Sequence, residues 1–431
     1  MTPDSPPTGR QRSPWAWVPT LYFAQGIPYV VVMTLSVVMY KNLGISNTDI
    51  ALYTSWLYLP WVLKPLWSPL AELFGTKRSW ITLLQFLVGA ALAGVALTIP
   101  TDKVFQLSLA VFWLMAFASA SHDIAADGYY MLALPQRSQA AFVGVRSTFY
   151  RLANIGGQGG LVYLAGELTE RSGSVVQAWA GVFWLLGGLF VALALWHLLA
   201  LPRPAADVRG AGRGAARGLA ADFFAVFAGF FKKPGIAVIL GFLLLYRFPE
   251  AQLLKLASPF LLDPVEQGGL GLSTKAVGIA YGTVGLTALT LGGLVGGWVI
   301  SRVGLKRALW PLVLAMHVPN VAFLLLAMTH PTSLAVISAA LAVEQFGYGL
   351  GFTAYLMYMI LVAEGPQKTA HYAICTGFMA LGMMIPGMWS GWLQDHIGYV
   401  PFFGWVLVAT LPSFVMAALI QVPDDFGKKD A

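Results

Sequence analysis

Ser68-Pro-Leu-Ala-Glu72-Leu-Phe-Gly75-Thr-Lys77-Arg78 recurs, altered but in register, as Gly297-Trp-Val-Ile-Ser301-Arg302-Val-Gly304-Leu-Lys306-Arg307. Gly75, Lys77 and Arg78 align with Gly304, Lys306 and Arg307 without a gap, so each copy ends in a glycine turn followed by cations. A fainter echo pairs Pro135-Gln-Arg137 with Pro366-Gln-Lys368. Both long copies follow one apolar run and precede another. The chain therefore reads as one unit duplicated, built of apolar segments joined by short basic turns.

Those segments are long enough to cross a membrane. Of 431 residues, 58% are hydrophobic and only 10% charged, with mean hydropathy +0.70, which excludes a soluble domain of this size. Apolar runs of about 20 residues are expected near 15–40, 48–71, 79–99, 105–134, 138–165, 176–201, 235–262, 274–300, 308–329, 333–362, 369–393 and 399–421. The predicted fold is an all-α membrane protein with twelve transmembrane helices in two pseudo-symmetric six-helix halves. Its domains are a tail at 1–14, halves at 15–201 and 235–422, a linker at 202–234 and a tail at 423–431.

The cations orient it. With both termini in the cytoplasm, the outer loops carry Lys41, Lys103, Arg171 and Lys275, while the inner loops and tails carry most of the rest. The net charge of +7 thus reports topology, and no nucleic-acid partner is expected. Trp15, Trp17, Trp61, Trp67 and Trp80 read as interface belts. The single cysteine, Cys375, excludes a disulfide framework and a cysteine metal cluster. The polar, Pro-rich start is followed by an apolar run too long for a cleavable signal.

Ionisable groups inside membrane spans are rare and face a cavity or a partner. Spans 3, 6, 9 and 12 offer little polarity beyond Gln85, His197, His317 and Asn320. Span 1 carries Gln25 and Tyr29, span 7 carries Arg247, Glu250 and Lys255, and span 10 carries Glu344, Gln345 and Tyr348. Span 4 contains Ser119-Ala-Ser-His122-Asp123-Ile-Ala-Ala-Asp127, which puts two carboxylates on one helical face. Carboxylates that close are costly in low dielectric unless one is protonated or a cation is near. A period of three spans is what a central polar pathway lined by the first helix of each three-helix unit produces. Each group also has a plainer reading. Asp127 is placed to latch a gate with Lys77, Arg78 or Arg151. His122 fits a satisfied core histidine, and Arg247 and Glu250 are spaced to neutralise each other.

The duplicated turn resembles the Gly-x-x-x-Asp-Arg-x-Gly-x-Arg/Lys-Arg loop of the major facilitator superfamily, although neither copy keeps the acid–base pair: the first has Glu72-Leu73, the second Ser301-Arg302. Tyr22-Phe-Ala-Gln25-Gly26-Ile-Pro28, Lys64-Pro-Leu-Trp67-Ser68-Pro69-Leu70 and the span-4 motif together resemble the AmpG-type permeases of the peptide/acetyl-coenzyme A transporter branch, well in the first half and weakly in the second. That resemblance implies a proton-driven muropeptide importer (a proton symporter) of the bacterial inner membrane. Many muropeptide permeases carry two further helices, for which twelve spans leave no room. The shorter RhtX/FptX-type siderophore permeases share the length, so a siderophore importer is the alternative. Further alternatives are a proton-driven efflux antiporter, although the Gly156-Gly157-Gln158-Gly159-Gly160 run lacks the proline of drug antiporters, and an intramembrane enzyme, for which no second acidic motif exists.

Under this reading Asp123, Asp127 and His122 are the proton-coupling candidates. Gln25, Tyr29, Arg247, Glu250, Lys255, Glu344 and Tyr348 are the solute-binding candidates. Glu72, Lys77, Arg78, Arg146, Arg151, Arg302, Lys306 and Arg307 are the gating candidates. The expected partners are an anionic amphiphilic solute, protons and the lipid bilayer, with the protein acting as a monomer. No metal, cofactor or catalytic residue is expected.

Overall fold

A computed structural model describes residues 13–67, 75–205, 207, 216–365 and 367–428. All regular structure among them is helical. The spans are α1 (Pro14–Asn42), α2 (Asn47–Trp56 and Leu59–Trp67), α3 (Lys77–Thr98), α4 (Val104–Ala133), α5 (Gln136–Ile155, Gly156–Leu161 and Val162–Ser172) and α6 (Val175–Ala200). A linker helix, Ala216–Phe231, separates them from α7 (Ile236–Leu262), α8 (Thr274–Val303), α9 (Leu305–Thr329), α10 (Leu334–Ala363), α11 (Lys368–Ile397) and α12 (Tyr399–Leu419).

Ten of these are long and apolar enough to cross a bilayer by themselves. The other two are α2 and α5. The first breaks at Leu57-Tyr58 and holds Pro60 and Pro65; the second carries Arg146, Arg151 and Glu167. Expected and observed limits agree to a few residues, except where a polar last turn hides a helix end. The expected fifth span stops at 165 and the eleventh at 393, but the helices run on to Ser172 and Ile397. They stop there because Gly173 (φ 68°) and Gly398 (φ 78°) take up the left-handed region that ends a helix.

The repeated turn is built the same way twice. Gly75 and Gly304 both have positive φ, 75° and 82°, which is what a glycine at that position is for. In each half, the segment after the sixth helix then returns to cap the third. Asp207, beyond α6, accepts from Lys77 N at 2.7 Å and Arg78 N at 3.0 Å. Beyond α12, Phe426 O accepts from Leu305 N at 2.8 Å, and Asp424 pairs with Lys306. The Lys306 ammonium hydrogen-bonded to Asp424 holds that carboxyl below the usual aspartate range.

Each half has its own apolar core. In the first, Phe112, Phe183 and Phe190 pack with Val30–Leu35 of α1; in the second, Phe242, Tyr246 and Tyr355 pack with Leu312 and Met316. Burying apolar surface does not drive helices together in lipid, so close backbone approach and hydrogen bonds must hold the halves. A Cβ on Gly282 of α8 would lie 2.1 Å from Gln158 O of α5, and one on Gly391 of α11 would lie 2.0 Å from Asn47 O of α2. The bundle has two ends: the linker end, with the start of α1, the end of α12 and the glycine turns at Gly75 and Gly304, and the far end, where α1 meets α2 and α7 meets α8.

Candidate solute-binding cavity

A cavity of about 200 Å³ lies between the halves. Its walls come from α1 (Tyr29, Met33, Thr34), α2 (Tyr58), α5 (Asn154, Gln158), α7 (Arg247, Lys255), α8 (Tyr281), α10 (Gln345, Tyr348) and α11 (Met383). Three π-helical turns, Val31–Leu35, Gly156–Leu161 and Gly278–Gly285, each deliver a lining residue: Thr34, Gln158 and Tyr281. Such turns insert a residue into the helical register and recur at functional sites.

The cations are the cavity's defining chemistry. Helix α7 breaks between Leu245 and Phe248, where Pro249 removes a backbone donor and Arg247 leaves helical geometry at φ −106° and ψ 18°. The guanidinium of Arg247 donates to Tyr348 OH and lies 4.7 Å from the centre of the Phe352 ring, with its Nε buried and unpartnered. Two turns on, Lys255 donates to Thr54 Oγ1 at 3.0 Å, across to the other half. Arg247 and Lys255 are each 7% exposed, and among the described residues neither has a carboxylate partner. A buried charge without a counter-ion is expensive, so this cavity is built for an anion.

Sequence-predicted residues divide between cavity and core. Tyr29, Arg247, Lys255 and Tyr348 line the cavity. Three other solute-binding candidates do not. Glu250, turned away by the α7 break, sits 2.7 Å from His317 Nδ1 and accepts from Asn320 Nδ2 at 3.3 Å, inside the second half; it does not neutralise Arg247. Glu344 lies behind the wall, bonded to Gln345, and Gln25 is buried with Oε1 unpartnered.

Helix α4 does not line the cavity, contrary to the expectation for the first helix of each three-helix unit. Asp123 instead faces α2, where Lys64 Nζ and Trp61 Nε1 donate to it, each at 3.3 Å. It adjoins the cavity wall through Trp61, whose ring packs edge-on at 5.3 Å against Tyr29. Asp127 accepts from Arg146 Nη2 at 2.9 Å and from Tyr22 OH at 3.2 Å. Of the cations of α5, it is Arg146 that pairs with α4 here. His122 points into the first-half core: its Nε2 is 3.0 Å from Gln85 Nε2, Gln85 Oε1 is 2.8 Å from His197 Nδ1, and His197 Nε2 is 2.9 Å from Thr20 Oγ1.

The gating candidates stay mostly within their own halves. Lys77 and Arg78 meet Asp207, and Arg78 also donates to Leu201 O at 3.3 Å. Arg302 lies 5.6 Å from the centre of the Trp298 ring, and Arg307 lies near Asp424 with Lys306. Arg151 reaches α8 beside Gly293. Glu72 lies outside the described residues.

Sequence reasoning missed the far end. There Lys41 pairs with Asp263 at 2.5 Å, and Asp263 also accepts from Tyr399 OH at 2.6 Å and Asn47 Nδ2 at 3.1 Å. Thr48 Oγ1 donates to Asp395 at 2.6 Å, and Lys275 pairs with Glu167 at 2.5 Å and Glu170 at 3.3 Å. Among the described residues, the pairs made by Lys41 and Lys275 are the ion pairs that join the halves. Both lysines were visible as outer-loop cations, but pairing across the repeat cannot be read from spacing within one helix.

The Major Facilitator Superfamily profile matches residues 20–385. The anhydromuropeptide permease of Escherichia coli (strain K12) is 26% identical over 409 residues, covering 92% of this chain and 77% of that protein. AmpG 4 of Rickettsia conorii is 26% identical over 412 residues, covering 91% and 93%. Of solved structures, the nucleoside transporter NupG superposes with TM-score 0.63 at 18% identity over 94% of this chain and 98% of that one. The D-xylose–proton symporter gives 0.65 at 14% identity over 96% and 98%. Likeness at that identity speaks for the shared fold alone. The profile covers most of the chain, two repeated halves enclose a polar cavity, and the chain therefore belongs to the Major Facilitator Superfamily: it is a multi-pass membrane transporter, not an enzyme.

Proposed function

We propose that this transporter is a proton-coupled importer of an anionic amphiphilic solute of the anhydromuropeptide class, working by alternating access in a bacterial inner membrane. What carries this reading is the pair of buried cations, Arg247 and Lys255, facing a cavity between the halves with no carboxylate to balance them among the described residues. A solute with separated acidic groups would supply that balance, while Tyr29, Tyr58 and Tyr348 offer hydroxyls and ring faces to a sugar or peptide. The similar Escherichia coli permease, named for anhydromuropeptides, favours this class over siderophores.

The basic loops argue that the linker end is cytoplasmic, with the tails at 1–14 and 423–431 and the linker at 202–234 on that side. The ion pairs between the halves then lie on the outer side, an inward-facing arrangement. The halves, 15–201 and 235–422, would rock about the cavity in a monomer. Asp123 and Asp127, matched by Lys64 and Arg146, act as latches near the inner side. The test is uptake into proteoliposomes of purified protein with an imposed inward pH gradient, offering an anhydromuropeptide, a ferric siderophore and a neutral sugar. Accumulation of the first alone supports the reading. Accumulation of the siderophore alone, or of anhydromuropeptide without dependence on the gradient, overturns it.

A further inference from the structure

The acids of the spans are not equally provided for. Asp123 has Lys64 at 3.3 Å, Asp127 has Arg146 at 2.9 Å, and Glu250 has the imidazole of His317, a cation only when protonated, at 2.7 Å. Glu344 has no cation among the described residues. Its side chain is fully buried on α10, its Oε2 accepts from Gln345 Nε2 at 2.9 Å, and its Oε1 has no hydrogen-bond partner. The titratable groups near it are Tyr281 of α8 and Glu250 of α7, the latter already held by His317 and Asn320 of α9. None of these offers it a positive charge. A carboxyl in that setting is stable only as the neutral acid, because an unpaired carboxylate without water binds a proton rather than stay charged.

Its position also suits coupling. Gln345, which donates to Glu344, lines the cavity, and its Cγ packs against Gly285 at the end of the α8 π turn. Tyr348, one turn along α10 on the same face as Glu344, holds Arg247. Glu344 is thus one side chain away from the anion site, on a helix in contact with the segment whose register is irregular.

Resting on the proton-coupled reading above, we propose that Glu344, not an α4 acid, carries the coupled proton. The carboxyl takes its proton from water at the outer side, and crosses as the neutral acid with the O–H bond intact. When movement of α8 and Gln345 lets water in from the inner side, the O–H bond breaks and the proton passes to that water, leaving a carboxylate. Arg247 and Lys255 hold the solute's anionic groups on the inward step, so the loaded cavity crosses with the solute's charges matched and Glu344 neutral.

Two measurements on the purified, reconstituted protein test this. Infrared spectroscopy near neutral pH reads the C=O stretch of protonated carboxyls. Glu344→Gln is expected to remove one carboxyl's worth of that band, while Asp123→Asn leaves it unchanged. An unchanged band in Glu344→Gln overturns the proposal. Uptake of an anhydromuropeptide then reads the coupling. Glu344→Gln is expected to lose at least tenfold of the gradient-driven accumulation and keep solute counterflow within about twofold, and Glu344→Asp, which can still bind a proton, is expected to regain part of it. Retained counterflow shows that the variant is folded; if Glu344→Gln loses counterflow as well, a Glu344→Asp variant with counterflow but no driven uptake overturns the proposal. Driven uptake that survives in Glu344→Gln overturns the role of Glu344 alone. Wild-type uptake that ignores the gradient overturns the proton-coupled reading, and the role of Glu344 with it.

Discussion

The ammonium of Lys41, at the end of α1, lies 2.5 Å from the carboxylate of Asp263, just past the end of α7. Asp263 is buried, and Tyr399 and Asn47 also donate to it, so one carboxylate gathers groups from both halves. Asp263→Asn removes the charge but keeps the shape. The loss of a charge-assisted bond is worth about 2 kcal/mol, or roughly thirtyfold in the balance between far-end-closed and far-end-open states. A cysteine introduced at Thr34, in the cavity wall, should then react from the outer side many times faster in the Asp263→Asn background. Equal labelling rates would show that this junction does not control the gate.

The chain His122–Gln85–His197–Thr20 ties α4, α3, α6 and α1 together inside the first half. Both ends of the Gln85 amide are used, so Gln85→Leu would leave two imidazole nitrogens buried without partners. Each costs about 1–3 kcal/mol. The variant should unfold several degrees below wild type in detergent. Adding His122→Leu should restore part of the loss, because an orphaned nitrogen is replaced by apolar surface. A double variant less stable than Gln85→Leu would mean that His122 is held by something else.

The contrast between span interiors and span partners explains what the sequence could yield. Helix positions follow from apolar length, and the repeated Gly75 and Gly304 turns mark the duplication, because both signals are local in the chain. Arg247, Lys255, Tyr29 and Tyr348 were legible as cavity residues because polar groups in apolar helices need a destination. Which destination is a matter of rotation about the helix axis. The break at Pro249 turned Glu250 to His317, and α4 rotated its acids toward Lys64 and Arg146 instead of the cavity. Gln158 was hidden in a glycine run that reads as close packing, and only the π turn brings it to the wall. Partners such as Lys41 and Asp263 are more than two hundred residues apart, beyond any periodic pattern.

Asp424 closes the second-half turn by pairing with Lys306. Its carboxyl titrates below its ordinary value of 3.8 because the Lys306 ammonium bonds its charged form. The folded value is therefore depressed: the contact contributes at any pH above the ordinary value and is lost as pH falls through the lower folded one. At neutral pH the segment around Asp424 should stay docked on α9. Asp424→Asn should release it there, which a spin label at Asp425 would read as increased mobility. A label equally mobile in wild type at neutral pH would contradict the pairing. Both groups are largely exposed, so overall stability should hardly change.

Arg247 provides the sharpest test of what the cavity holds. Its planar guanidinium bonds Tyr348 OH and lies over Phe352, a geometry that an ammonium cannot reproduce. Arg247→Lys keeps the charge and should weaken anhydromuropeptide binding about tenfold, whereas Arg247→Gln removes it and should weaken binding roughly a hundredfold, the difference of about 1.4 kcal/mol being what the bare charge contributes. Lys255→Met should act independently, since Lys255 lies two turns away and is bonded to Thr54 of the other half. Calorimetric titration with an anhydromuropeptide, and with the same molecule amidated at its carboxylates, separates these effects. The amidated form should bind wild type weakly and lose little further in Arg247→Gln. If both forms bind wild type alike, the cations are not there for the solute's acids, and their role lies in holding Tyr348 and Thr54 across the cavity.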